Sequence, residues 1–178
     1  MTDQEIMINI AKPEMNRQAF NTILEKYQRK IYWHIRKMVI NHDDADDVTQ
    51  ETFIKVWTHL DSYRGEAQLY TWIYRVATNE CLNFLAKKKK HLSVDISGFQ
   101  DLLSDHENNP LVDGDAIQIK LQKALLTLPD KQRLVFNMKY FDEMPYNAIS
   151  KITGTSEGAL KASYHFAVKK IEDFLNKD

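Results

Sequence analysis

Between residues 61 and 90 the sequence concentrates three kinds of side chain that can contact a nucleic acid. Tyrosines offer flat faces on which bases can stack, arginines and lysines can neutralise phosphates, and an asparagine amide can donate to and accept from a base edge. The candidate residues are Tyr63, Arg64, Tyr70, Tyr74, Arg75, Asn79, Asn83, Lys87 and Lys88. Asn79 and Asn83 are four residues apart and therefore share one face of a helix. The combination predicts a surface that holds single-stranded nucleic acid.

The competing interpretation of this block is that aromatic residues at helical spacing form a core. We assign Trp72, Ile73 and Val76 to the core, and Tyr63 and the two asparagines to binding. The four consecutive lysines at 87–90 are weak evidence alone, because such runs are usually only solvated.

A second set of candidate residues lies near the C-terminus. Gly154 is predicted to end a helix in the left-handed conformation, and Thr155 or Ser156 to cap the next helix. A short helix, a tight glycine turn and a longer helix are typical of a helix-turn-helix, whose second helix enters the major groove through its N-terminal residues. The candidates are Ser156, Glu157, Ala159, Lys161, Ser163 and Lys169, followed by Tyr164 and Lys170. For His165, a phosphate contact and partial burial are both open.

Apolar residues at three- and four-residue intervals predict the helices that position these candidates. The predicted helices span 17–41, a start at Asp43 or Asp44 to about 60, 69–86, 115–127, 130–140, 145–152 and 156–175. No segment shows the two-residue period of a strand, so we expect an all-α protein. It is divided into two small helical domains, 1–90 and 115–178, joined by a flexible acidic linker at 91–114.

Charge is distributed unevenly along the chain. Residues 53–91 carry seven basic and three acidic side chains, residues 115–178 carry ten and eight, and residues 92–114 carry no base and five acids. The sequence pI is about 6.6, whereas a free-standing DNA-binding domain is usually above about 9. The chain alone is therefore expected to bind DNA weakly and to depend on a large basic partner.

Several classes of protein are disfavoured by what the sequence contains. The six histidines and the single cysteine, Cys81, show no metal-ligand spacing, and no glycine-rich phosphate loop is present. We therefore expect no enzymatic activity, no catalytic residues and no metal or other cofactor. Cys81 is expected to be a small buried residue. No apolar stretch is long enough for membrane insertion and the N-terminus has no signal-peptide order, which predicts a cytoplasmic protein.

Two segments together resemble a known family. Residues 50–90 read Q-E-T-F-x-x-x-W, then R-G-x-x-x-x-x-T-W-x-Y-R-x-A-x-N and four lysines, and closely resemble region 2 of bacterial RNA polymerase sigma factors. The helix-turn-helix, preceded by Leu128-Pro129, resembles region 4. The compact length is similar to that of the extracytoplasmic-function (ECF) group of the sigma-70 family.

The resemblance implies a role for each candidate. The polar helix face with Asp47, Gln50 and Glu51 would bind the β′ coiled coil of core RNA polymerase, while Phe53 and Trp57 would belong to the core. Tyr63, Asn79 and Asn83 would border the pocket for a flipped non-template base of the −10 element of promoter DNA. The −10 element would also be contacted by the other candidates from residues 61–90, which are Arg64, Tyr70, Tyr74, Arg75, Lys87 and Lys88. Region 4 would read the −35 element and contact the β flap, and an anti-sigma factor is an expected partner.

The recognition helix departs from the family pattern. Family members commonly carry arginines where this chain has Ser163, Phe166 and Val168. We therefore expect −35 recognition to depend on DNA shape and backbone amides rather than on arginine contacts.

Two other functions remain open at this stage. A helix-turn-helix regulator would bind duplex DNA tightly without polymerase, but would need a dimerisation or ligand domain that residues 17–90 do not resemble. A sigma mimic would sequester an anti-sigma factor without initiating transcription. The altered recognition helix leaves that alternative open. The presence of Tyr63, Asn79, Asn83 and the lysine run argues against it.

Overall fold

All regular structure in the described part of the chain is helical. The computed structural model describes residues 2–10, 12–39, 41–92 and 116–177. The α-helices are α1 Asp3–Ile10, α2 Asn16–Val39, α3 His42–His59, α4 Leu69–Leu92, α5 Ala116–Leu126, α6 Asp130–Tyr140, α7 Tyr146–Thr153 and α8 Glu157–Leu175. Two 3-10 turns, Pro13–Met15 and Leu60–Ser62, lie between them. The all-α prediction is thus confirmed.

The helix boundaries agree with the predictions with two exceptions. α1 was not predicted from the sequence, and α4 continues to Leu92 through the lysine run instead of ending near 86. The chain divides into two compact units, Met1–Cys81 and Leu82–Asp178. The linker prediction at 91–114 lies outside the described residues except for its first two positions, and the domain boundaries stay a prediction.

The first unit is built on the packing of α2 against α3, with α1 lying along α2. The predicted apolar stripe of α2 is mostly buried, and Tyr27, Ile31 and Ile35 are at most 2% exposed. Phe20 and Leu24, which belong to the same predicted stripe, are only half-buried. Cys81 is buried as expected, at 1% exposure. A core of this kind leaves one side of α2 and α3 available for a partner.

The N-cap of α3 differs from the prediction. Asn41 is the capping residue, and its side-chain oxygen accepts a hydrogen bond from the Asp44 backbone N–H at 3.1 Å. Asp43 and Asp44 instead occupy the first turn, where a carboxylate complements the positive end of the helix dipole. The prediction of Asp43 or Asp44 as the cap was wrong because an aspartate is favourable in both places.

The loop between α3 and α4 is held by α1. Gly65 has a φ of 72°, in the left-handed region, and a Cβ built there would stand 2.5 Å from Met7 Cε of α1. Asp3 of α1 accepts hydrogen bonds from Lys26 Nζ at 2.5 Å and from the Tyr27 hydroxyl at 2.9 Å. The helix that sequence reasoning missed therefore ties the α3–α4 loop to α2.

The second unit contains the predicted helix-turn-helix. Gly154 has a φ of 72° and ends α7, and the Ser156 hydroxyl accepts a hydrogen bond from the Ala159 backbone N–H at 3.3 Å, which caps α8. Both features were predicted. The core beneath the motif combines α5, α6 and α8 through Ala124, Leu125, Leu128, Phe136, Ala167 and Ile171.

The first unit should lose stability in alkaline solution through Tyr27. Burial and the hydrogen bond to Asp3 raise the pKa of Tyr27 above its ordinary value. Above about pH 10 an unfolded tyrosine ionises while the folded Tyr27 keeps its proton, so the free energy of unfolding falls as pH rises, by at most ~1.4 kcal/mol per pH unit. Tyr27→Phe should flatten this decline in urea titrations between about pH 9 and pH 11. Tyr140→Phe, at an exposed ring, should keep the wild-type slope, and an equally steep decline in Tyr27→Phe would contradict the assignment.

Candidate nucleic-acid interface

A small cavity lies where the α3–α4 loop meets the start of α4. It measures about 310 Å³ and is lined by Ser62, Tyr63, Arg64, Glu66, Ala67, Trp72 and Arg75. Tyr63 and Trp72 stack with ring centroids 4.8 Å apart and planes 28° apart. Two arginines and two aromatic rings therefore surround a space at the lower end of the usual range for ligand pockets. We call this the Tyr63 pocket.

Tyr63 is held at its hydroxyl and on one face of its ring. Its hydroxyl donates a hydrogen bond to the Ala67 carbonyl across the loop, and its face is covered by Trp72. Burial, followed by the negative charge of Asp3, raises the pKa of Tyr63. A tyrosine is already neutral at physiological pH at its ordinary pKa of about 10, so the shift only extends the pH range in which the phenol remains a hydrogen-bond donor.

Trp72 was assigned to the core from the sequence, and that assignment was wrong. The side chain is only half-buried and forms a wall of the Tyr63 pocket. Trp72 and Arg75 are three residues apart, and Asn79 follows four residues later, so the three share one face of α4. This spacing could have indicated that Trp72 lies with the binding residues.

Tyr70 and Tyr74 lead away from the pocket into the interior. Tyr74 is only 5% exposed, and its ring centroid lies 4.3 Å from that of Tyr70 and 5.1 Å from that of His34. The structure therefore corrects Tyr74 from a DNA-binding candidate to a core residue. Tyr70 is half-buried, with its ring 6.3 Å from that of Tyr27.

Asn79 and Asn83 are exposed on α4 but are not among the residues that line the Tyr63 pocket. At a rise of 1.5 Å per residue they follow Arg75 by about 6 and about 12 Å along the helix axis. Lys87 is exposed further along, and half-buried Lys88 places its Nζ 5.7 Å from the Phe84 ring centroid. These residues continue the surface that begins at the pocket rather than bordering the pocket itself.

A larger groove runs between α2 and α3, with a volume of about 1180 Å³. Its floor is apolar and its rim is polar and charged. The α2 side contributes Arg17, Phe20, Asn21, Leu24, Glu25, Gln28, Arg29 and Tyr32, and the α3 side contributes Asp46, Asp47, Thr49, Gln50, Phe53, Ile54 and Trp57. Asp47 and Gln50 line this α2–α3 groove, whereas Glu51 is exposed and does not line it; their contact with polymerase stays a prediction.

Trp57 was predicted to be a core residue, but it is 46% exposed. Its indole packs edge-on against Phe20 of α2, with ring centroids 4.9 Å apart. Ile54, one turn earlier, is 49% exposed. Sequence reasoning found the acidic rim of the groove but missed its apolar floor, while Phe53 is buried as expected.

The candidates on α8 differ in accessibility. Ser156, Glu157, Ala159, Lys161 and Lys169 are exposed, as is Lys170, whereas Ser163 and Tyr164 are half-buried. Tyr164 stacks on Phe136 with a centroid distance of 5.8 Å, and burial raises the pKa of its hydroxyl. Tyr164 therefore supports the core. His165 is exposed, which removes the alternative of partial burial.

Residues 2–10, 12–39, 41–92 and 116–177 contain neither a metal site nor a membrane-spanning helix. Within those ranges, no group of three or more histidine, cysteine or carboxylate side chains could hold a metal ion. No helix in the same ranges has the length and hydropathy to span a membrane.

Comparison with known proteins assigns both units to one family. Residues 23–91 match the model of Sigma-70 region 2, and residues 118–171 match that of Sigma-70, region 4. The chain is 31% identical over 156 residues to the ECF RNA polymerase sigma factor SigW of Bacillus subtilis, covering 83% of each chain. It is 27% identical over 184 residues to the ECF RNA polymerase sigma-E factor of Escherichia coli K12, covering 97% of this chain and 94% of that protein.

Solved structures share the fold. CnrH, solved in complex with the cytosolic domain of CnrY, aligns over 99% of this chain and 98% of its own with a TM-score of 0.70 at 19% identity. The sigma factor RpoE of Bartonella quintana, solved with the anti-sigma factor NepR, covers 89% of this chain and 98% of its own with a TM-score of 0.66 at 21% identity. These two structures show that the fold is shared. The two matched regions and the relatives at 27–31% identity show that the chain belongs to the ECF group of the sigma-70 family, the factors that initiate transcription with RNA polymerase.

Proposed function

We propose that this sigma factor binds core RNA polymerase through the α2–α3 groove and opens promoters by capturing a flipped −10 base in the Tyr63 pocket. The observation that carries the proposal is the stacked Tyr63–Trp72 pair beside Arg64 and Arg75 in one cavity. In a region 2 unit, that cavity combines an aromatic surface for a base with cations for its phosphates.

The pocket offers the two interactions that a flipped nucleotide needs, an aromatic face for its base and cations for the adjoining phosphates. Extrusion from the duplex costs a few kcal/mol of stacking and pairing, and stacking on an aromatic side chain returns about 1–3 kcal/mol per base. Arg64 and Arg75 are exposed at the rim, where they can neutralise the phosphates on either side of the extruded nucleotide. The pocket can therefore trap a base that has already left the stack.

The exposed face of α4 provides a path for the rest of the opened strand. Asn79 and Asn83 follow the pocket along this face and can hydrogen-bond to neighbouring bases, because each amide has donors and an acceptor. Lys87 adds a cation on the same side of the helix. We therefore place these residues on the strand that leaves the pocket rather than on the captured base.

The α2–α3 groove has the features of a site for a helical partner. Ile54, Trp57 and Phe20 supply an apolar floor. Asp46 and Asp47 supply negative charge on the α3 side, whereas the α2 side carries Arg17 and Arg29. An amphipathic helix with basic flanks would bury its apolar face on this floor and pair its charges with the rim. The β′ coiled coil of core polymerase is the partner proposed for this groove.

The remaining partners follow from the family. We propose that α8 reads the −35 element while the second unit contacts the β flap, and that an anti-sigma factor controls the protein in the cytoplasm. The structure of the sigma factor RpoE supports a regulatory partner, since it was solved with the anti-sigma factor NepR bound.

Removing the apolar floor of the groove should weaken polymerase binding. Trp57→Ala should raise the dissociation constant for core enzyme about tenfold or more, because a half-exposed aromatic side chain that lines an apolar groove is a typical hot spot. Asp47→Ala should lower the affinity for core polymerase more than Glu51→Ala, since Asp47 lines the groove and Glu51 does not. Labelled-protein anisotropy with purified core polymerase measures all three.

Thr58→Ala is the matched control for this series, because Thr58 is exposed on α3 and does not line the groove. Equal losses in Thr58→Ala and Trp57→Ala would contradict the groove assignment. Tight binding to duplex DNA with no polymerase binding would favour a helix-turn-helix regulator. Binding to an anti-sigma protein alone would favour a sigma mimic.

Disrupting the Tyr63 pocket should impair promoter opening without weakening polymerase binding. Tyr63→Ala and Trp72→Ala should lower open-complex formation about tenfold, the scale of one lost base–aromatic stack. Tyr63→Phe should retain most activity, since its ring can still stack. Permanganate reactivity of thymines near −10 reports opening, and affinity for core polymerase is measured in parallel.

An abasic nucleotide scanned through the non-template −10 strand sharpens this test. At the position of the captured base, the abasic site should lower open-complex formation by the wild type. It should lower open-complex formation by Tyr63→Ala little further. Asn79→Ala should lower opening with core binding intact, yet stay sensitive to that abasic site. Trp33→Ala, at an exposed indole outside the pocket, is the control. If the loss from the abasic site and the loss from Tyr63→Ala are additive at every scanned position, base capture by Tyr63 is contradicted.

A further inference from the structure

The recognition helix α8 exposes a large aromatic side chain where a polar one would be expected. Phe166 is 55% exposed, although it lies in the same helix as buried Leu160, Ala167 and Ile171. Ala159 and Ala162, seven and four residues earlier, are also exposed and share its side of the helix by the 3.6-residue period. The surface turned away from the core thus contains an aromatic ring that is preceded by two methyl groups and followed by the exposed Lys169 and Lys170.

α8 carries no arginine, and two of its three lysines are turned toward neighbouring elements, while the third, Lys169, is exposed. The helix contains no arginine in its sequence, EGALKASYHFAVKKIEDFL, although arginine is the commonest reader of guanine O6 and N7. Lys161 Nζ lies 5.8 Å from the Tyr146 ring centroid, and Lys170 Nζ donates to Gln132 Oε1 at 3.2 Å. These two lysines are engaged with neighbouring elements rather than extended from the outward face.

We infer that Phe166 is a specificity-determining residue that selects thymine in the −35 element through contact with its 5-methyl group. The major groove distinguishes thymine by that methyl group, and apolar side chains such as phenylalanine are the ones that recognise it. Ala159 and Ala162 leave room for α8 to approach the base edges closely. Phe166 stands in the tenth position of α8, about 14 Å from the helix start at 1.5 Å per residue, on the side that faces away from the core.

The inference deepens the proposed function and rests on the assignment of α8 to the −35 element. It replaces the expectation of recognition by shape and backbone amides alone with a direct contact at one base pair. The polymerase supplies most of the affinity in such a complex, so a single methyl contact can decide between promoters without strong binding by the helix itself.

The test uses holoenzyme reconstituted from core polymerase and the full chain. A promoter is first selected from a duplex library with a randomised upstream element, and each thymine of the selected element is then replaced by uracil, which lacks only the methyl group. At one position, uracil should weaken wild-type binding about fourfold, the effect of burying one methyl group. Phe166→Ala holoenzyme should bind the thymine and uracil duplexes equally at that position.

Two further variants make the result specific. Phe166→Arg should shift the selected base at that position from thymine to guanine, because arginine can bond to guanine O6 and N7. Ile117→Ala removes another exposed apolar side chain of the second unit and should keep the wild-type sensitivity to uracil.

Each outcome decides the matter. Equal sensitivity of wild type and Phe166→Ala to uracil at every position would overturn the inference, since DNA shape alone would then explain the effect. Loss of core binding in Phe166→Ala would also overturn it, by placing the ring against protein. If the wild-type chain forms no holoenzyme, the proposed function itself fails, and that failure is visible before any promoter is selected.

Discussion

A row of aromatic rings between α2 and α4 sets the geometry of the first unit. Tyr27 on α2 lies beside Tyr70, Tyr70 packs on Tyr74, and Tyr74 packs on His34 of α2, with centroid distances between 4.3 and 6.3 Å. The His34 ring nitrogen is also 3.0 Å from the Thr78 hydroxyl of α4. Because flat, rigid side chains tolerate little sliding, this row fixes the rotation of α4 about its own axis. The face that carries Trp72, Arg75 and Asn79 is thereby directed outward.

The same constraint explains why binding residues and core residues alternate along these helices. A helix that buries one face can present only the opposite face, so Ala45, Val48 and Val56 of α3 are buried while Asp47, Gln50 and Ile54 line the groove. α1 extends this division to the loop. Its Met7 lies against Gly65 and its Asp3 bonds to Tyr27, so a helix outside the matched region 2 residues supports the pocket.

The fold and most candidate surfaces could be predicted from the sequence, because periodicity and capping residues act locally. Gly154 and Ser156 each perform the backbone role that their chemistry predicts. The errors concern aromatic residues, which are used both in cores and at interfaces. Trp57 and Trp72 were assigned inward and Tyr74 outward, and the structure reverses all three. Only the packing partner in another element or loop decides such cases, Phe20 for Trp57 and Tyr63 for Trp72, and no local pattern names that partner.

The charge of the chain then accounts for how weak contacts can give promoter selectivity. At a pI of about 6.6, we expect the protein to gain little non-specific affinity from phosphates and to depend on polymerase to reach DNA. Once it is tethered, binding of the second element becomes effectively intramolecular, and the local concentration replaces intrinsic affinity. A methyl contact at Phe166 would contribute about 0.8 kcal/mol and a stacked base at Tyr63 about 1–3 kcal/mol. In a tethered complex, differences of that size are enough to separate one promoter from another.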